Sequence, residues 1–189
     1  METMEYYKLV EDRAKMLIPN YQRTEVYDIL TEYFAKSDKF KERGFDLNKG
    51  LLVTGDVGTG KTAAFDVFRE ILRASNRFFQ VASCRQIIRD YTTDGAKVLN
   101  KYGRDSKNTV YFDDLGLEEV NVKMYGNNAN VMSEIMLDRY ENYKRYGVIT
   151  YATSNLGAKE FGEIYGDRMR DRMREMFNFI PVTGDSFRK

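Results

Sequence analysis

Apolar positions along the chain follow two rhythms. Val26, Ile29, Leu30, Tyr33 and Phe34 recur three and four apart, which places them on one face of a helix starting near Thr24. The stretch before it, to about Ile18, reads as a short, more polar helix ended by Pro19 and Asn20. The run KGLLVTG is continuous and closes on Gly55, the pattern of a strand buried on both faces. From Lys61 the helical period returns, with Ala64, Phe65, Phe68, Ile71 and Leu72 on one side. The alternation then repeats. A strand near RFFQVAS leads to a helix across CRQIIRDY and a strand at TVYFDD. Met132, Ile135, Met136, Tyr140 and Tyr143 stripe the next helix, and the strand GVITYATS follows. A helix from about Ala158 to Phe177 and a strand at NFIPV complete the series. Strands alternating with helices predict an α/β fold, a three-layer sandwich around a mainly parallel five-stranded sheet. The first 45 residues read as a short N-terminal helical segment, and residues 46–189 as one α/β domain.

Composition narrows the chemistry. With 42% apolar and 31% charged residues in 189, the chain suits an ordered globular domain. No apolar run reaches the ~18 residues of a membrane span, and the N-terminus is too polar and acidic for a signal peptide. One cysteine, Cys84, excludes an internal disulfide, fits a cytoplasmic location, and reads as a small buried hydrophobe. There is no histidine, so histidine-based catalysis and histidine-ligated metals are excluded. A net charge of +1 neither favours nor disfavours a nucleic-acid partner.

The segment Gly55, Asp56, Val57, Gly58, Thr59, Gly60, Lys61, Thr62 has the spacing G-x-x-x-x-G-K-T between a strand and a helix. Glycines let the backbone curl so that successive N–H groups face phosphate oxygens. The helix N-terminus, running on through Ala63, adds a partial positive charge beneath the anion. Lys61 suits the β- and γ-phosphates of ATP, and the Thr62 hydroxyl suits Mg²⁺.

Acids complete the pattern. TVYFDD places Asp113 and Asp114 at the carboxyl end of a strand, where the first would help hold Mg²⁺ and the second polarise a water. Glu118 and Glu119, just beyond, read as surface charges. The strand VITYATSN ends on Thr153, Ser154 and Asn155, and Asn155 is the candidate for contact with the γ-phosphate or the attacking water. In YGDRMRDRMREMF, Met169, Met173 and Met176 form an apolar stripe. Arg168, Arg170, Arg172 and Arg174 lie on the other faces. They fit either a solvated, ion-paired helix or a helix that offers one arginine to a neighbouring subunit's ATP.

Taken together, GDVGTGKT, VYFDDLGLE, LDRYEN, ATSNL, YGDRMRDRM and GDSFR occur in an order that resembles the DnaC/IstB-type AAA+ ATPases, helicase loaders and transposon ATPase subunits. The resemblance runs from about Leu51 to Lys189. It implies an AAA+ core without a helical lid, ATP with Mg²⁺ bound between subunits, and an ATP-dependent homo-oligomer. It gives Asn155 the role of sensor-1 and Arg172 that of arginine finger, with Arg168 next. It also brings Arg188 toward nucleotide or DNA. The implied partners are a replicative helicase or transposase and single-stranded DNA. Fewer residues precede the core than in most helicase loaders, so a helicase-gripping domain is expected to be small or missing. Lys101, Arg104, Lys107, Lys144 and Arg145, with tyrosines nearby, are the candidates for a single strand, and they fit an ordinary surface equally well. The adenine pocket is expected around Ile18 to Tyr21. Two alternatives are a weakly catalytic ATP-controlled adaptor and a small-molecule P-loop kinase.

Overall fold

The computed structural model describes residues 3–73, 75–118, 122–124, 127–184 and 186, with backbone alone at 122–124, 127–129 and 158. The chain divides into two compact units, one within residues 1–47, 56–78 and 182–189, the other within 48–55 and 79–181.

The first unit is helical. In α1 (Thr3–Leu17) Tyr6, Val10 and Ala14 are buried, one per turn along a narrow face of an otherwise polar helix. The helix α2 (Glu25–Phe34) starts after Thr24 and buries the whole stripe of Val26, Ile29, Leu30, Tyr33 and Phe34. A short helix, α3 (Asp38–Glu42), follows; Ser37 caps it by accepting from the Lys39 N–H, and Phe40 is buried. The helix α4 (Lys61–Leu72) buries Ala64, Phe65, Val67, Phe68 and Leu72. Helix α1 packs on α2 and α4, and the rings of Tyr6 and Phe34 both stack on Phe68, at 6.4 and 4.9 Å between centroids. Within this unit the buried carboxylate of Glu32 accepts from Arg43 Nε at 2.6 Å and from the Tyr7 hydroxyl at 3.0 Å. A buried charge is tolerable because it is paired in this way.

The second unit holds the sheet. Its elements in chain order are β1 (Gly50–Gly55), β2 (Gln80–Ser83), α5 (Cys84–Asp94), α6 (Ala96–Tyr102) and β3 (Val110–Asp113). A small antiparallel hairpin of β4 (Val122–Met124) and β5 (Asn127–Ala129) comes next, then α7 (Val131–Tyr146) and β6 (Thr150–Ser154). The last elements are α8 (Ala158–Tyr165), α9 (Asp167–Met176) and β7 (Phe177–Val182). The five long strands lie in the order β2-β3-β6-β1-β7, all parallel, so the sheet expected from the sequence is present. Ala82, Phe112, Ala152 and Leu52 share one register row. They present a continuous apolar face to Ile87 and Ile88 of α5, Met132, Ile135 and Met136 of α7, and the methionines of α9. Cys84 is fully buried in this cluster, and burial pushes its thiol well above the usual range. Gly50 lets β1 lie close to β6: a Cβ there would fall 1.8 Å from the Thr150 carbonyl oxygen.

One element differs from expectation. The single helix foreseen from Ala158 to Phe177 is two, broken at Gly166, whose φ of +82° suits glycine, and Phe177 opens β7 instead. Phe161, Tyr165, Met169 and Met173 keep a spacing of four across the break, which is why the periodicity runs on through it.

The LDRYEN segment proves to be structural. Arg139 is fully buried and donates from Nε to Thr150 Oγ1 (2.9 Å), from Nη1 to the Asn108 carbonyl (3.0 Å) and from Nη2 to the Ile149 carbonyl (2.8 Å). Nη1 also reaches the Ser106 hydroxyl and carbonyl at 3.2 and 3.3 Å. Asn142 donates to the carbonyls of Gly103, Arg104 and Ser106. The two side chains thus bind the 103–108 connection to α7 and to the start of β6.

Candidate nucleotide site

In a parallel sheet, ligands gather at the carboxyl edge. Here β6 lies between β3 and β1, and the register sets Val53 beside Thr153 and Phe112 beside Ala152. The ends of β1 at Gly55, β3 at Asp113 and β6 at Ser154 therefore share that edge. The glycine-rich segment leaves from Gly55, the acid pair from β3, and Asn155 from β6.

The loop has the conformation its glycines permit. Gly55, Gly58 and Gly60 have φ of 149°, 90° and 84°, and Gly60 is the residue from which α4 starts. A Cβ on Gly58 would lie 2.0 Å from Ser186 Oγ, so the close approach of this backbone needs glycine. Thr59 Oγ1 donates to the Asp56 carbonyl at 2.9 Å, and Lys61 Nζ donates to the same oxygen at 2.8 Å. The lysine is buried and folded back over the loop at the N-terminus of α4. A phosphate offers that ammonium a charged acceptor in place of a neutral carbonyl, and charge-assisted bonds are roughly twice as strong. Thr62 follows as the second residue of α4, and Ala63 as the third.

Beside this loop is a cavity of 870 Å³ lined by Ile18, Pro19, Asn20, Tyr21, Gln22, Thr24, Tyr27, Gly60, Ala63 and Ser186. Its size and its mixture of tyrosine rings with amide and hydroxyl groups suit a nucleoside. The sequence pointed to the Ile18–Tyr21 part. Tyr27, on α2, carries no local sequence signal of a binding role.

The acid pair is held by Tyr111 and Thr153, neither of which carries a sequence signal of that role. Asp113 Oδ1 accepts from the Tyr111 hydroxyl at 2.6 Å and from Thr153 Oγ1 at 2.8 Å. Tyr111 precedes Asp113 by two on the same strand, so both project to one face. The Asp114 N–H donates to Thr153 Oγ1 at 3.2 Å, and Asp114 has φ of 60°, a left-handed conformation uncommon outside glycine. Such backbone outliers gather at working sites. Among the described residues no three Cys, Asp or Glu side chains gather as a metal cage. Mg²⁺ is commonly held instead by one or two carboxylates together with substrate phosphates.

Asn155 follows β6 directly and is half-buried. Arg172, on α9, lies with its guanidinium 5.1 Å from the centre of the Tyr140 ring, beside Glu175, which accepts from Tyr140 at 2.9 Å and Lys144 at 3.2 Å. Arg168 is exposed, and Arg170 pairs with Asp167 at 3.1 Å. Lys107 donates to Asn142 Oδ1 at 2.7 Å and sits 3.9 Å from the centre of the Tyr146 ring, so two separate basic stretches meet there. Arg145 approaches Glu141 at 3.8 Å, and Arg104 is exposed.

The expectation of a surface charge at Glu118 is corrected. Its side chain is buried; Oε2 accepts from the Gly116 N–H at 2.6 Å and Oε1 from the Tyr165 hydroxyl. Burial pushes this carboxyl up, and the two hydrogen bonds oppose that. Glu119 and Arg188 lie outside the described residues.

No family model matches the sequence, and no curated protein is significantly similar to it. The fold is similar to that of solved structures. The DnaC helicase loader matches at 16% identity, over 86% of this chain and 94% of that one, with a TM-score of 0.56. DnaI matches at 17% identity over 90% and 88%, with a TM-score of 0.58. AMPPCP-bound DnaA from Aquifex aeolicus matches at 15% over 89% and 52%, with a TM-score of 0.60. The chain thus shares with DnaC, DnaI and DnaA an α/β fold built on a five-stranded parallel sheet.

Proposed function

We propose that this protein is an ATPase of DNA replication or mobile-element DNA transactions, with turnover completed by a neighbouring copy. The observation that carries the reading is the carboxyl edge of the sheet. A G-x-x-x-x-G-K-T loop leaves β1 there, Asp113 closes β3 with Asp114 next in the turn, and Asn155 follows the strand between them. Backbone N–H groups of the loop and Lys61 bind the phosphates. Thr62 and Asp113 hold Mg²⁺, which when bound offsets charge on the β- and γ-phosphates. Asp114 and Asn155 orient the water for in-line attack. Ile18 to Tyr21 receive the base. Arg172 reaches the nucleotide of the adjacent subunit. A helicase or transposase and single-stranded DNA are the partners proposed, on the strength of the sequence resemblance and the likeness in fold to replication proteins.

Two variants test the assignment together. Lys61→Ala is expected to lose Mg·ATP binding by at least tenfold in a fluorescent-nucleotide titration. Asp114→Asn is expected to bind normally and to turn over ~10²–10⁴-fold more slowly, the usual worth of a positioned acid–base group. Normal turnover in Asp114→Asn overturns its role. Tight nucleotide binding with no turnover in the wild-type chain, alone or with DNA, identifies an ATP-controlled adaptor instead.

A further inference from the structure

We propose that Tyr165 and Glu118 are positioning residues that couple the Asp114 end of β3 to the helix pair carrying Arg172; the inference rests on the ATPase reading above. The turn after Asp114 is stitched to the end of β6. The Leu115 N–H donates to the Thr153 carbonyl at 2.8 Å, and the Leu115 carbonyl accepts from Ser154 Oγ at 2.5 Å. Ser154 Oγ in turn accepts from the Leu156 N–H at 3.0 Å. Gly116, with φ of 93°, lies so close to Leu156 that a Cβ would fall 2.1 Å from its Cδ1. The flanks of Asn155 and the backbone of Asp114 are therefore one packed unit.

Glu118 extends that unit outward. One carboxylate oxygen takes the Gly116 N–H and closes the turn, and the other takes the Tyr165 hydroxyl. Tyr165 is the last residue of α8, Gly166 is the break, and α9 begins at Asp167. The hydroxyl thus pins the joint from which the arginine helix starts. Beyond the joint, Met169, Met173 and Met176 seat α9 in the apolar cluster, and such packed elements move as bodies rather than bend. A shift of α9 when Arg172 engages a neighbour's nucleotide is passed through Tyr165 and Glu118 to the turn that sets the Asp114 backbone. The buried carboxylate, which the proposed chemistry does not use, has its role in this link.

The test uses Tyr165→Phe, Glu118→Gln and the double variant in the full chain. The expected result is a fall in kcat of about tenfold in each single variant, nucleotide Kd unchanged within twofold, and a double variant no slower than the slower single. Unchanged kcat in folded Tyr165→Phe, or a double variant whose loss is the product of the singles, overturns the coupling. Hydrogen exchange reads the link even when the wild-type chain does not turn over ATP, an outcome that counts against the ATPase reading alone. Tyr165→Phe is then expected to speed exchange at Leu115–Leu117 and at the hydrogen-bonded amides Arg170–Met173 of α9 together, by about tenfold or more, with α7 still protected. Faster exchange on one side only, or on neither, contradicts the inference.

Discussion

Arg172→Ala is expected to lower the turnover of the assembled protein by ~10³–10⁵-fold, the range for an arginine supplied across a subunit boundary. The same variant is expected to leave nucleotide binding to a single chain unchanged, because the phosphate contacts proposed for Lys61 and the loop N–H groups are made within one chain. Local structure supports the choice. Arg172 is half-buried and rests on the face of Tyr140 at 5.1 Å, a contact of about 0.5–2 kcal/mol, small beside the apolar packing that seats α9. Arg170 is already engaged with Asp167 at 3.1 Å. Arg168→Ala serves as the comparison: a large loss there and none at Arg172 moves the role by one helical turn. Steady-state hydrolysis at saturating ATP, with protein concentrations above the assembly midpoint, reads the effect.

Arg139→Leu is expected to destabilise the fold by about 3–5 kcal/mol, a large share of the ~5–15 kcal/mol typical of whole domains. The guanidinium is fully buried and donates to groups on two stretches of chain, Ser106 with Asn108 and Ile149 with Thr150. Burial pulls it down to about 10, so it is still charged at neutral pH. Leucine restores apolar volume but leaves those carbonyls without their donor, at about 1–3 kcal/mol for each group that water cannot reach. Arg139→Lys is expected to recover little, because an ammonium cannot span acceptors set around a planar fork. The shift of the urea midpoint at constant slope is the measurement, and a change below about 1 kcal/mol contradicts the clamp.

These residues also show what a sequence can disclose. The glycine-rich loop is legible because its geometry is local: the glycines, Lys61 and Thr62 all fall within one short stretch of chain. Asp113 and Asp114 are legible because an apolar run ends on them. Arg139 is not, since three of its acceptors are backbone carbonyls, at Ser106, Asn108 and Ile149, and carbonyls leave no mark in the sequence. Glu118 looks like a surface charge until Tyr165, far along the chain, is seen to donate to it. Gly166 hides inside an unbroken four-residue rhythm. The short helix α3 escapes because five residues hold too little of a period to detect. Thr153 was visible as part of a polar strand end, but its hydrogen bonds to both aspartates depend on the pairing of β3 with β6.

The most direct test of the central claim is the ATP hydrolysis rate per chain measured as a function of protein concentration, with light scattering on the same samples. An ATPase completed by its neighbour predicts a rate per chain that rises steeply where Mg·ATP drives assembly and stays near background in Arg172→Ala. A rate per chain that is constant across concentrations, from a protein that remains a monomer, contradicts it.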